Sequence, residues 1–314
     1  MDETDWLADR FEEYRPHLRA VAYRMLGSVS EADDALQDAW LRLSRADSTG
    51  VQNIGGWLTT VVARVSLNML RSRGRRREQP LDLHVPDPIL SSAGGVDPEH
   101  ETLLADSVGL ALMVVLETLT PAERLAFVLH DMFAVPFDEI APMVERTPTA
   151  TRQLASRARR RVQAQAPAHD SDLARQRAVV DAFFAAARTG DFDALVAVLD
   201  PDIVLRADGG DSRTRPTVVI HGAQAVAGQA VMAQRLAPFV RPVLVNGAAG
   251  VVTVVNGRAF SVMAFTVSDG RVVAVDVLYD PQRLADLDLT MLNLPEGGAT
   301  PKSAPGATGR SPGA

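Results

Sequence analysis

Trp57-Leu-Thr-Thr-Val-Val-Ala-Arg-Val-Ser-Leu-Asn-Met-Leu-Arg-Ser-Arg-Gly-Arg-Arg-Arg77 and Thr147-Pro-Thr-Ala-Thr-Arg-Gln-Leu-Ala-Ser-Arg-Ala-Arg-Arg-Arg-Val162 decide how this chain is read. In each, apolar or small residues recur at helical spacing on one side and arginines load the other. The whole chain is acidic, with a net charge of −7. Positive charge focused on two helical faces of an acidic protein indicates two separate contacts with a polyanion.

A chain of 314 residues has room for two or three domains, and 46% hydrophobic content is enough for packed cores. No apolar run reaches the ~18–20 residues that span a bilayer. The start, Met1-Asp-Glu-Thr-Asp5, has no apolar signal core, so a cytoplasmic location and no membrane partner are expected. Cysteine is absent, which removes disulfides, thiolate nucleophiles and cysteine-based zinc sites. No metal or cofactor is expected. Arginine carries nearly all the positive charge, Lys302 being the sole lysine; its guanidinium grips phosphate bidentately and stacks on bases.

Composition divides the chain into a helical region over 1–78, a Pro/Gly linker over 79–104 and a second helical region over 105–165. An α+β domain is expected over 172–290, and a disordered Gly/Pro/Ala/Ser-rich tail over 291–314. In the first region Leu18, Val21, Ala22 and Met25 make an apolar stripe that Gly27 ends. Ser30 is the expected cap of the next helix. There Ala32, Ala35, Leu36, Ala39, Trp40 and Leu43 turn inward, leaving Asp34, Gln37, Asp38 and Leu41 on an outward strip. Spacing alone favours a solvated acidic face for that strip. Trp57, Leu58, Val61, Val62, Val65 and Met69 form the next core stripe, and Arg64, Asn68, Arg71 and Arg75 project from the other side. Arginine and asparagine suit phosphates and base edges. The polar loop 45–56 beside them suits an unstacked base.

In the second helical region Thr120, Pro121 and Glu123 spell a capping box with proline at the first helical position. Phe137–Val144 and a helix capped by Thr147 bracket a tight turn, the spacing of a helix-turn-helix. Thr151, Leu154, Ala155, Ala158 and Val162 face inward. Thr149, Arg152, Gln153, Ser156, Arg157 and Arg160 point away, toward a major groove. An amphipathic basic helix on a bundle surface is the plainer alternative.

Together these blocks resemble an RNA polymerase sigma factor of the sigma-70 family, of the extracytoplasmic-function type that keeps only regions 2 and 4. Glu31–Arg42 is similar to region 2.2, Trp57–Arg71 to regions 2.3 and 2.4, and Glu139–Leu154 to region 4.2, with Glu145 where the turn usually carries glycine. The resemblance implies that Asp34, Gln37, Asp38 and Leu41 hold the clamp helices of the polymerase largest subunit. It implies that region 4 meets the flap, that Arg64, Asn68, Arg71 and Arg75 meet the −10 element, and that Thr149, Arg152, Gln153, Ser156, Arg157 and Arg160 meet the −35 element of promoter DNA.

The last third begins with helices over 173–187 and from 192. Strands follow, punctuated by Asn256-Gly257 and Asp269-Gly270 hairpin turns. Helices followed by a curved antiparallel sheet make an α+β cone, which resembles the SnoaL-like, ketosteroid-isomerase-like fold. Such an appendage marks the SigJ-like subgroup. Three signatures of that subgroup are represented in degenerate form by His84-Val-Pro-Asp-Pro88, Asp208-Gly-Gly-Asp-Ser-Arg213 and Asp280-Pro-Gln-Arg-Leu284. The resemblance implies intramolecular regulatory contacts through Pro86, Pro88, Asp208, Gly209, Gly210, Arg213, Pro281 and Arg283. Catalysis on a cone needs an acid or base inside a pocket. Asp208, His221, Asp276 and Tyr279 are the candidates, but no paired constellation emerges and no enzyme is expected. Two alternatives stay open: a ligand-sensing DNA-binding regulator independent of polymerase, and a cone-fold enzyme with a vestigial sigma module.

Overall fold

The computed structural model describes residues 3–44, 53–76, 84–92, 109–165, 170–210 and 216–292. Most of the 45–56 loop and the tail from 293 lie outside these residues, as do the rest of the linker and Arg213. Among the described residues no helix is long and apolar enough to cross a membrane.

α1 (Glu3–Leu26), α2 (Val29–Leu43) and α3 (Ile54–Arg76) form the first bundle. The expected α1 stripe, Leu18, Val21, Ala22 and Met25, is buried, and Gly27 ends the helix at φ +72°. The cap of α2 is Ser28, not Ser30: its hydroxyl accepts from the Glu31 amide at 3.4 Å. The left-handed turn at Gly27 reverses the chain at once, so the extended residue needed at a cap falls two positions earlier than expected.

α4 (Leu110–Glu117), α5 (Pro121–Phe127), α6 (Phe137–Ile140) and α7 (Pro148–Gln165) form the second helical unit. Thr120 and Glu123 complete the expected capping box. Between α6 and α7 Glu145 adopts φ +55°, so the turn keeps its left-handed geometry without glycine. A non-glycine residue pays about 1–2 kcal/mol for that conformation.

The cone holds α8 (Leu173–Thr189), α9 (Phe192–Val198), β2 (Leu199–Asp208), β3 (Val218–His221) and α10 (Ala223–Met232). The meander β4 (Val240–Val245), β5 (Ala248–Val255), β6 (Arg258–Ser268) and β7 (Arg271–Leu278) follows, then α11 (Pro281–Ala285). The hairpin turns at Asn256-Gly257 and Asp269-Gly270 have both residues at positive φ, as expected.

Two expectations are corrected here. The sheet is mixed, because β2 runs parallel to β7. The β2–β3 hairpin carries the chain to one edge, α10 returns it across the sheet, and the meander ends against the vacant side of β2. The linker is also not merely a connector. Leu90–Ser92 forms β1, which pairs antiparallel with β4 in the register Leu90↔Val245 and Ser92↔Val243. The full strand order is β1-β4-β5-β6-β7-β2-β3.

Both faces of this sheet are covered. Val251, Phe265, Val275 and Val277 pack with α8, α9 and α10. Val243, Val245, Val252, Val254, Val262 and Leu278 join the core that contains α1, α3, α5 and the linker. One continuous apolar cluster therefore runs from the first bundle through the second helical unit into the outer face of the cone.

Candidate nucleic-acid interface

α2 buries Ala32, Ala35, Leu36, Ala39 and Leu43 and leaves Asp34, Gln37 and Asp38 exposed. Leu41 lies on the same strip and is 45% exposed. A single exposed leucine is ordinary on a protein surface and does not by itself separate a docking strip from a solvated face. Asp38 pairs with Arg42 at 2.8 Å, a surface pair that contributes little to stability.

On α3, Arg64 and Asn68 are exposed and Arg71 is half-buried; the Arg75 side chain lies outside the described residues. A groove of about 350 Å³ between α2 and α3 is lined by Asp38, Arg42, Asn68 and Met69 among others. Asp38 of the strip and Asn68 of the α3 face thus line one groove.

On α7, Thr149, Arg152, Gln153, Ser156, Arg157 and Arg160 are all exposed, while Thr151, Ala155 and Ala158 are buried. Arg152 lies 5.3 Å over the Phe137 ring. Arg157 and Arg161 stand 3.4 and 3.5 Å from the Glu123 carboxylate. Burial raises the pKa of that carboxylate, but the Thr120 hydrogen bonds and the two arginines outweigh it, and the net shift is downward. The arrangement is a rigid helix carrying oriented guanidinium and amide groups, suited to phosphates and base edges.

The expected regulatory residues other than Arg213 converge on a polar junction. Arg283 on α11 donates to Asp208 at 2.9 Å, to Asp87 from Nε at 2.7 Å and to the Val85 carbonyl at 2.6 Å. Asp208 also accepts from the Val85 amide at 2.9 Å and from the Gly210 amide at 2.9 Å. Pro86, Pro88 and Gly209 are buried around them. Gly210 has φ +63°, and a Cβ there would fall 2.3 Å from Asp280 Oδ2, so only glycine fits. Pro281 is exposed and serves as the first residue of α11, behind the Asp280 cap.

Residues outside the predicted set complete the junction. The Tyr23 hydroxyl donates to the Asp87 carbonyl at 2.6 Å and accepts from Asn246 at 2.9 Å. Asn246 Oδ1 accepts from the Ile89 amide at 3.0 Å. The Asp87 amide donates to the Gly27 carbonyl at 2.7 Å, and its carboxylate accepts from the Val29 amide at 2.9 Å. Arg124 on α5, 2% exposed, donates to the Arg24 carbonyl at 3.1 Å and pairs with Glu117 at 2.8 Å. The corner between α1 and α2 is thus satisfied by the linker on one side and by the second helical unit on the other. The one local signal for Asn246 is the Asn-Gly pair 246–247, a turn dipeptide that also fits positive φ. His84 Nδ1 lies 3.6 Å from Asp208. Burial, reinforced by Arg283, lowers its pKa and favours a neutral imidazole.

The four catalytic candidates do not assemble. Asp276 is buried but alternates away from the cavity-lining Val275 and Val277, and it pairs with Arg206 at 3.1 Å. Burial raises its pKa against the opposing pull of Arg206. His221 is exposed at a strand end. Asp208 belongs to the junction, and the Tyr279 hydroxyl donates to the Pro216 carbonyl.

An exposed acidic strip, a basic helix beside it and a separate helix-turn-helix define a transcription-initiation factor of the two-region type. Among family models, Sigma-70 region 2 matches residues 10–76, and Sigma-70 region 4 matches residues 109–162. The chain belongs to the extracytoplasmic-function RNA polymerase sigma factors. It is 39% identical over 288 residues to the sigma factor SigJ of Mycobacterium tuberculosis, covering 87% of this chain and 91% of that one. It is 34% identical to the probable sigma factor SigI of the same organism, over 91% of this chain and 98% of the other. The crystal structure of Mycobacterium tuberculosis SigJ superimposes with a TM-score of 0.71 at 36% identity, covering 88% of this chain and 97% of that one. These relatives are sigma factors, which are not enzymes.

Proposed function

We propose that this sigma factor works in the cytoplasm as a promoter-specificity subunit whose cone restrains it until polymerase engages. Asp34, Gln37, Asp38 and Leu41 dock on the clamp helices of the largest subunit, and the second helical unit meets the flap. Arg64, Asn68, Arg71 and Arg75 capture the opened −10 element. The exposed face of α7, from Thr149 to Arg160, reads the −35 duplex. Each DNA contact can be weak alone, because polymerase makes the second one intramolecular. The residues of the junction hold the cone, the linker and the first bundle together.

One observation carries the regulatory reading: a single guanidinium, Arg283, grips the cone through Asp208 and the linker through Asp87 and Val85. The linker in turn caps α2, which carries the polymerase-facing strip. Run-off transcription with core polymerase tests the assignment. Asp38→Arg places a positive charge on an exposed position, so the fold is retained while transcription falls by about tenfold or more, the effect of losing ~1.4 kcal/mol of docking. Full transcription from this variant would remove the strip from the polymerase interface.

A further inference from the structure

We propose that Phe137, stacked on a backbone-tethered His130, is a positioning residue for base recognition: its ring presets the Arg152 guanidinium for a guanine of the −35 duplex. The proposal rests on the proposed −35 role of α7 and deepens it. The N-terminal residues of a recognition helix are those that reach base edges. Arg152 lies about one turn into α7, which begins at Pro148, whereas Arg157, Arg159 and Arg161 lie further along.

These arginines differ in what holds them. Arg157 and Arg161 face the Glu123 carboxylate, and Arg159 donates from Nε to Asp131 at 2.8 Å. Each carboxylate offsets charge that would otherwise meet DNA phosphate. Among the described residues Arg152 has no acid partner and donates no hydrogen bond. A ring holds it instead: its guanidinium carbon lies 5.3 Å from the Phe137 centroid, while the side chain stays exposed. A cation–π contact restrains a guanidinium without using its N–H donors. The whole fork therefore remains available for the O6 and N7 acceptors of guanine.

The ring is itself restrained. Phe137 is half-buried at the start of α6 and stacks on His130, with centroids 3.8 Å apart and planes inclined by 30°. His130 Nδ1 lies 3.0 Å from the Val135 carbonyl. A carbonyl only accepts, so Nδ1 carries the proton and donates it. The Val135 amide donates in turn to the Leu129 carbonyl at 2.9 Å. His130 belongs to a π-helical turn, Val128–Met132, that follows α5. Such turns break the α-helical register and recur at functional sites. Attraction to phosphate needs charge alone, but a bidentate base contact needs a fixed orientation. A free arginine loses rotamer freedom when it docks on a base. A ring that already restrains it lowers that cost, so the stack favours one base pair rather than DNA in general.

The test is run-off transcription by the full chain with core polymerase, on a promoter library randomised over the −35 base pairs. Arg152→Lys keeps the charge but not the fork, and should remove a preference for guanine at one −35 pair. Phe137→Leu should lower that same preference by about twofold to fivefold and leave the other pairs unchanged. Phe137→Tyr, which keeps the ring face, should retain it. A loss spread equally over all −35 sequences in Phe137→Leu, or equal behaviour of Phe137→Leu and Phe137→Tyr, overturns the positioning role. An unchanged guanine preference in Arg152→Lys overturns the pairing with guanine. Should Phe137→Leu not fold, proton shifts of the unaltered chain decide the matter. Arg152 side-chain protons over a ring move upfield, and random-coil values overturn the stack. If the unaltered chain drives no transcription from any library member, the transcriptional reading fails and takes this inference with it. Transcription with base preferences unchanged in every variant overturns this inference alone.

Discussion

The two faces of the cone sheet are built from alternate residues of the same strands, yet they make different kinds of core. The inner face is nearly all hydrocarbon and closes on its own helices, with Phe183, Phe184 and Phe265 in mutual edge-to-face contact. The outer face is also apolar at Val243, Val252 and Val262, but polar groups are set into and around it: Asn246, Arg206 with Asp276, and Arg283 with Asp87 and Asp208. The first is the interior of a domain. The second has the mixed character of an interface between domains, which can part without unfolding either side. The difference marks the outer face as the place where the units meet.

The sharpest way to break the comparison is to damage each face in turn. Phe265→Ala removes a ring that is 2% exposed in the inner core and should cost about 3–5 kcal/mol, read as loss of the cone's melting transition. Arg283→Ala should act differently. It leaves two carboxylates facing each other without their shared cation, at a cost of about 2 kcal/mol after allowance for partial exposure. Faster hydrogen exchange at the Val85 and Ile89 amides, with the inner core still protected, is the expected sign of a released linker. If both regions lose protection together, the two faces are one cooperative unit.

Asn246→Gly refines the same point. Glycine retains the φ of +49° while deleting the side-chain bonds to Ile89 and Tyr23, so a loss of about 1–2 kcal/mol reports those bonds together with glycine's greater freedom in the unfolded chain. The smallest effect concerns protons. In the fold the His84 pKa lies below that of a free imidazole because of burial and then Arg283. Below about pH 6.5 the unfolded chain takes up the proton first, so stability falls as pH drops through that value toward the lowered one. His17, lowered mainly by burial, contributes in the same direction. Denaturation midpoints measured between about pH 5 and 8 should slope less in His84→Phe than in the unaltered chain.

How far the sequence was legible depended on the range of the interaction. The stripes of α1 and α3, the Thr120 capping box and the two expected Asn-Gly and Asp-Gly hairpins all reappear, because each is written in residues a few positions apart. The exposed faces of α2 and α7 follow from the same periodicity, as does the helix-turn-helix despite Glu145. The valine-rich run of β5, Gly250-Val-Val-Thr-Val-Val255, does signal burial on both faces, but it does not say what covers the second face. β1 was hidden because three residues between prolines and glycines have no period of their own and become a strand only against β4. Helix α10 was hidden by small residues that mark no clear stripe.

Charge, periodicity and caps thus specified three helical or α+β units and the two basic faces, since the forces that set them act within a turn or a hairpin of the chain. Only the folded molecule determined that the units close on one another. Tyr23 meets Asn246 across 223 residues, and Arg283 meets Asp87 across 196. A hydrogen bond or ion pair between such distant residues leaves no imprint on local spacing, because its free energy depends on burial and alignment that only the completed sheet provides.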